Sequence, residues 1–186
     1  FQPEQHQPEM LYIGCIDARL DPVSDIGIPR GKALIFRNIG ALVRPQPERG
    51  TAQDVNVNAD GGITETVSIG AALEFFLNHV PAQDGKVKHI VVSGHTDCGG
   101  LKACLHGLHE TDAQKSPFLA RYLSVLKNVR DKIFAIAGMS EHDKLHQLEE
   151  DSVCQSVKNL MSYKVVREAV EAGKVEIHGW LINTCL

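Results

Sequence analysis

"VVSGHTDCGG", Val91–Gly100, decides how the rest of the chain is read. A short apolar run, His89–Gly94, stops at His95 and Cys98 and then breaks into two glycines. Apolar runs of this length, closed by glycine, read as buried strands. An imidazole and a thiolate three residues apart suit a borderline-soft divalent cation. One such pair cannot hold a cation, so further ligands must come from elsewhere in the chain.

Three more runs read as strands: "MLYIGC" (Met10–Cys15), "ALIF" (Ala33–Phe36) and "KVEIHGW" (Lys174–Trp180). Helical spacing separates them. Ile69, Leu73, Phe76 and Val80 recur at helical steps, as do Leu101, Cys104, Leu105 and Leu108. Residues 118–134 read as one helical stretch. Leu145, Leu148, Val153, Val157, Leu160 and Val165 predict a long or broken helix that Gly173 closes. Strands without strict alternation, separated by helices, predict an α/β fold: a small, mainly parallel sheet of about four to five strands covered by helices. The segment 44–62, "RPQPERGTAQDVNVNADGG", has no clean period and reads as a long loop insertion reaching over the surface.

In such sheets, ligands gather at the carboxyl ends of the strands. The first strand ends at Cys15, and the third leads into His95 and Cys98. If these strands are neighbours, two thiolates and one imidazole converge, a set that suits Zn²⁺. The fourth position falls to water, substrate or Asp17. Asp17 and Arg19 lie two residues apart in what reads as an extended segment, so they point the same way. Arg19 can hold Asp17 through two parallel hydrogen bonds and keep it off the metal. Gly99 and Gly100 allow a sharp turn into the next helix. Asp97 reads as a helix cap or a binder of backbone N–H groups rather than a metal ligand, Cys104 as a core thiol, and Cys154 and Cys185 as inert. His106 and His109 read as solvated, His178 as structural, and "SEHDK" (Ser140–Lys144) as a solvated loop.

The 186 residues fit a single domain, 1–186, with a full core. A net charge of −4 with scattered basic residues argues against a nucleic-acid surface. No apolar run approaches the roughly 20 residues that span a bilayer. The polar start at Phe1 carries no signal-peptide pattern. Five widely spaced cysteines argue against a disulfide framework and for a reducing, cytoplasmic setting.

Four ordered motifs resemble the β-class carbonic anhydrase family. They are Cys15-x-Asp17-x-Arg19, Arg37-Asn38, Gly94-His95-x-x-Cys98-Gly99-Gly100 and His178-Gly179-Trp180. The resemblance implies one Zn²⁺ per subunit held by Cys15, His95 and Cys98, with Asp17 as fourth ligand if the site is closed. It implies that Asp17 and Arg19 form a catalytic dyad orienting a zinc-bound hydroxide for the reversible hydration of CO₂ to bicarbonate and a proton. It further implies a homodimer or homotetramer with the cleft at a subunit interface, and no nucleic-acid or membrane partner. The helices that often precede the first motif have no counterpart in this chain. Some members also bind bicarbonate through a Trp, the Arg of R-N and a Tyr; the matching positions are Tyr12, Arg37 and Ile182, so only the Arg is kept. A cleft wall of Phe36 and Ile39 would suit a small apolar substrate. Two other readings share these motifs: hydrolysis of CS₂ or COS on the same scaffold, and a non-catalytic zinc-binding or redox module.

Overall fold

The computed structural model describes residues 6–46, 64–82, 85–108 and 115–184. Most of the 44–62 insertion, His109 and Cys185 therefore lie outside the described residues. Four strands form one sheet: β1 (Met10–Cys15), β2 (Ala33–Asn38), β3 (Lys88–His95) and β4 (Val175–Ile182). All pairs are parallel, in the order β2-β1-β3-β4. The chain moves from β1 to one side, then returns to the other side of β1 to lay down β3. The β1–β3 seam is thus the topological switch point, where the carboxyl ends open a crevice.

One face of the sheet packs on helices. Leu11 and Ile13 of β1 join Ile90 and Val92 of β3 in a core with Ile69, Leu73 and Phe76. Those three come from helix α1 (Thr64–Glu74) and the π-type turn Phe75–His79 that extends it. Lys88 is buried, and its ammonium donates to the carbonyls of Phe76, Leu77 and Val80. It thereby satisfies carbonyls that the helix end leaves open. The opposite face carries a smaller cluster of Tyr12, Val91 and Ile28, with Met10, Ile26 and Trp180 against it. The segment 20–30, not a helix, supplies the cover there.

After β3 come α2 (Gly99–Leu105), α3 (Pro117–Leu123), α4 (Lys127–Phe134), α5 (Glu141–Leu160) and α6 (Lys164–Glu171). The expected single helix over 118–134 is two helices joined by a 3₁₀ turn, Ser124–Leu126. The tighter turn keeps Leu123, Leu126 and Ile133 in one apolar cluster with α2. "SEHDK" is not a loop but the start of α5. Ser140 Oγ accepts the Asp143 N–H at 3.1 Å and donates to the Asp143 carboxylate at 2.7 Å, a capping arrangement. Helix α6 ends as expected at Gly173, whose φ of 65° suits glycine. The Lys174 N–H reaches the Ala169 carbonyl and the Gly173 N–H reaches that of Val170, a Schellman closure.

The long helix α5 lies directly on the sheet. A Cβ built on Gly94 would sit 2.6 Å from Val153 Cγ2, and one on Gly179 would sit 2.9 Å from Val153 Cγ1. Glycine at both strands lets the helix approach this closely. Gly94→Ala is expected to overpack the contact and lower the unfolding free energy by about 1–3 kcal/mol in urea titration. An unchanged midpoint would mean that the helix has room to retreat at no cost.

A candidate metal centre at the sheet switch point

Because β1 and β3 are neighbours, their carboxyl ends deliver Cys15 and His95 side by side, and the turn after β3 adds Cys98. The two sulfurs and an imidazole nitrogen all lie within 4.8 Å of one another, and all three residues are buried. His95 Nδ1 sits 2.9 Å from the Thr96 carbonyl, so this nitrogen carries the proton and donates. The other nitrogen, Nε2, is buried among the ligand atoms without a hydrogen-bond partner. A buried acceptor left in that state costs about 1–3 kcal/mol. A cation between the three side chains would remove that cost, and the donor set of two sulfurs and one nitrogen fits zinc.

The thiols point the same way. A hydrogen bond from Cys98 holds the Cys15 thiol far below its ordinary pKa, helped by His95 and by the Gly40 N–H at 3.3 Å. The same contact pushes Cys98 far above its ordinary value, reinforced by burial, although the Gly100 and Leu101 N–H groups favour its thiolate. The two shifts oppose each other, so Cys98 holds its proton where Cys15 gives its own up. Burial disfavours a charged His95, but the Cys15 thiolate beside it overrides this, and the imidazole pKa is raised.

Local sequence explains how Gly40 reaches the sulfur. Asn38 closes the chain over the Ile39–Ala41 turn: its Oδ1 accepts the Leu42 N–H at 2.9 Å and its Nδ2 donates to the Leu42 carbonyl at 2.8 Å. Gly40 has φ 70°, and Ala41 also takes a left-handed φ of 53°. Arg37 fixes the other side of the site, donating to the carbonyls of Cys15, Asp17 and Leu20 at 2.7–2.8 Å. Its guanidinium is thus committed to the backbone that carries Cys15–Arg19.

Asp17 and Arg19 pair as expected, but through a turn rather than an extended segment. The Arg19 N–H donates to Asp17 Oδ1 at 2.9 Å, an Asx-type turn. The guanidinium then grips both carboxylate oxygens, Nε to Oδ1 at 3.0 Å and Nη2 to Oδ2 at 2.8 Å. This grip holds the Asp17 carboxyl well below the usual carboxylate range. Oδ2 lies 3.7 Å from His95 Nε2, at the border of the ligand cluster. Asp97 is not the helix cap: Cys98 occupies the N-cap position, and Asp97 before it takes a left-handed φ of 59°. It accepts from Arg19 Nη1 at 3.0 Å and pairs with Lys102, while its carbonyl accepts Arg19 Nη2 at 2.9 Å.

Sequence reading missed Glu149. This α5 carboxylate is 2 % exposed and accepts the Cys98 N–H at 3.1 Å. Burial raises its pKa, opposed by the Cys98 and Asp97 N–H groups. The available signal was an acid on the apolar face of α5, one position after Leu148 and four before Val153. A cavity of about 290 Å³ opens beside the cluster, with Ile16, Ile39, Ala103 and Leu119 as apolar walls over Cys15, Asp17 and Cys98. Phe36 is not among them; strand alternation turns it into the core with Leu34 nearby. Gly100 is needed for closeness, since a Cβ there would meet Ile39 Cγ2 at 2.5 Å. Cys104 is a core thiol whose pKa burial pushes up to about 11. His106 is exposed, 3.4 Å from Glu141. Cys154 is exposed, and the four described cysteines are all free thiols.

Residues 10–185 match the family model described as carbonic anhydrase. Beta carbonic anhydrase 6, mitochondrial, of Arabidopsis thaliana is 32% identical over 178 residues, covering 95% of this chain and 53% of the relative. Beta carbonic anhydrase 5, chloroplastic, of the same plant is 30% identical over 177 residues, covering 95% and 51%. The chain thus spans about half the length of these relatives. Among solved structures, the β-carbonic anhydrase CcaA superposes with a TM-score of 0.73 at 25% identity, covering 96% of this chain and 70% of that one. A chain from the structures of two tetrameric β-carbonic anhydrases of Sordaria macrospora gives 0.70 at 26% identity, covering 97% of this chain and 80% of that one. Among the described residues, no helix is long and apolar enough to cross a membrane.

The shared proton makes metal binding measurable without any activity. Zinc added to metal-free protein at pH about 8 is expected to release about one proton or more per cation, since the raised Cys98 pKa keeps that thiol protonated until the metal displaces it. Titration calorimetry in buffers of different ionisation enthalpy reads the release. Binding without proton release would exclude the thiol pair as ligands.

Proposed function

The chain belongs to the β-class carbonic anhydrase family, and from that premise we propose that it catalyses the reversible hydration of CO₂ to bicarbonate and a proton. Cys15, His95 and Cys98 would hold one Zn²⁺ per subunit, and Asp17 with Arg19 would form the catalytic dyad. The observation that carries this reading is the unpartnered His95 Nε2 beside two proton-sharing thiols, with a carboxylate oxygen 3.7 Å away that Arg19 holds in place. Zinc held by these three residues would supply Lewis acidity, which lowers the pKa of a water.

The protein's own groups supply the rest. Asp17 stays ionised at every assay pH, because Arg19 depresses its pKa. It is therefore a permanent acceptor, able to take a hydrogen bond from the reacting water and turn a lone pair of that water toward the cavity. Arg19 is itself anchored from behind by Asp97, so the carboxylate cannot swing freely into the ligand cluster. This arrangement favours catalysis over a closed, purely structural zinc site, which has no use for a restrained carboxylate. The apolar walls of Ile16, Ile39 and Leu119 suit a small, uncharged, linear substrate. Ile16 is 56% exposed and Phe118 85% exposed, although both adjoin the cavity in sequence or space. A second subunit would cover them, in line with a homodimer or with the tetramers named for the Sordaria structures.

Stopped-flow CO₂ hydration tests the proposal. Two thiolates cancel more of the cation's charge than do the three neutral imidazoles that bring a zinc-bound water to a pKa of about 7 in carbonic anhydrases built that way. Activity is therefore expected to rise through the alkaline range, and a profile flat from about pH 6 to 9 would count against the ligand set. Parallel assays with CS₂ and COS separate hydration from hydrolysis on the same scaffold.

Asp17→Asn is expected to keep zinc while lowering turnover by about 10²–10⁴-fold; full activity would remove Asp17 from the mechanism. Arg19→Ala is expected to release Asp17 onto the metal, with loss of activity. A structure of that variant with Asp17 still away from the cation would refute the restraining role.

A further inference from the structure

A second cluster of ligating side chains lies on the other face of the sheet, away from the proposed active site. His89 stands near the start of β3, while Glu176 and His178 stand two apart on β4. The register pairs His89 with Glu176 and Val91 with His178, so strand alternation puts all three on the face of Val91 and Trp180. His89 is six residues before His95, which in a strand amounts to about 20 Å. Among the described residues no helix joins the apolar cluster on this face, and the side chains of His89 and His178 are 38% and 35% exposed.

The three ligand atoms form a nearly isosceles triangle. His89 Nδ1 and His178 Nε2 are 3.1 Å apart, and Glu176 Oε2 lies 3.8 Å from the first and 3.9 Å from the second. The carboxylate is too far for a hydrogen bond to either ring, yet almost equidistant from both. A point equidistant from all three atoms falls about 2.1 Å from each, which is the Zn–N and Zn–O bonding distance. Two imidazoles and a carboxylate are also a ligand set that zinc accepts with positions left for water. A plain imidazole pair needs no carboxylate at that spot; a cation needs one for charge.

The geometry points to a second divalent transition-metal site, formed by His89, Glu176 and His178 and selective for Zn²⁺ over Mg²⁺ or Ca²⁺ because its donors are mainly imidazole. Bound metal would join edge strand β4 to β3 across their register. The site requires an unprotonated ligating nitrogen on each imidazole. It does not depend on Cys15 or Cys98.

Equilibrium dialysis against Zn²⁺ with metal analysis tests it on the whole chain. Wild type is expected to bind two cations per chain, and Glu176→Gln/His178→Gln one, with unchanged circular dichroism. Cys15→Ser/Cys98→Ser is expected to retain one. Should that variant fail to fold, titration of wild type beyond its first equivalent reads the same site, and Cu²⁺ bound there should show nitrogen rather than sulfur coupling. Added Zn²⁺ should raise the Tm of wild type beyond the first equivalent but not that of the Glu176/His178 variant. A wild type that stops at one cation would overturn the proposal. So would a Glu176/His178 variant that takes up the second as tightly. A result in which only the cysteine variant loses a cation and the other variant keeps two would leave the active-site reading intact and remove this one.

Discussion

Two buried thiols that share one proton beside an unpartnered imidazole nitrogen are the constraint around which this end of the molecule is arranged. Cys15 lies at the edge of an apolar cluster with Cys98, Leu101 and Leu148. A thiolate pair in such a place would repel itself, and a fully protonated pair would waste the N–H groups aimed at the sulfurs. The opposed shifts of the two thiols place the pair between these states. A divalent cation there would replace the shared proton with two positive charges and would use the three ligand atoms already gathered. The fold creates the problem by bringing two strand ends together at the switch point, and the chemistry of the side chains selects what can solve it.

Holding that arrangement takes backbone as much as side chains. The loop after β1 is gripped by Arg37, which occupies three carbonyls at once. The turn after β2 is closed by Asn38 and pinned by the Tyr122 hydroxyl, which donates to the Ile39 carbonyl at 2.9 Å. Ala41 sits in the left-handed region there, a conformation that costs an ordinary residue about 1–2 kcal/mol. The surrounding bonds hold it there. Glu149 reaches in from α5 to take the Cys98 N–H, so the position of that helix on Gly94 and Gly179 is coupled to the ligand turn. The dyad, by contrast, is built near the surface, from an Asx turn and a guanidinium strung between two aspartates. Its rigidity comes from charge-assisted bonds rather than from packing.

Which of these features the sequence disclosed follows from their range. The strands were legible because each is a short apolar run between polar or glycine-rich breaks, and the observed β1 matches Met10–Cys15. The convergence of Cys15 with His95 and Cys98 needed only one topological guess, that β1 and β3 are neighbours. The break between α3 and α4 was not legible, because Leu123, Leu126 and Ile133 keep a spacing that a continuous helix also allows. Ser140 and Asp143 did carry a capping signal, but the charged run around them masked it. Asp97 looked like a cap because of its place before a helix, whereas two cations claim it in three dimensions, the distant Arg19 and Lys102 of that same helix. Glu149 could be flagged as out of place on an apolar stripe, but its partner, a backbone N–H 51 residues away, could not be read from any local pattern.

The same reasoning separates the two ligand clusters. Residues that follow the ends of parallel strands meet whenever the strands are adjacent, because the turns beyond the sheet can absorb a small slip. Residues within strands meet only in one register, since a slip of one residue sends every side chain to the opposite face. His89 and His178 stand 89 residues apart in separate strands, and their approach to 3.1 Å depends on the pairing of His89 with Glu176. Neither histidine could be linked to the other from sequence. That register is held from both faces of β3: Ile90 and Val92 are buried in the helical core, and Val91 between them is buried on the opposite face beside Tyr12 and Ile28. The pattern that packs one face of the sheet thus also fixes which polar groups confront each other on the other face.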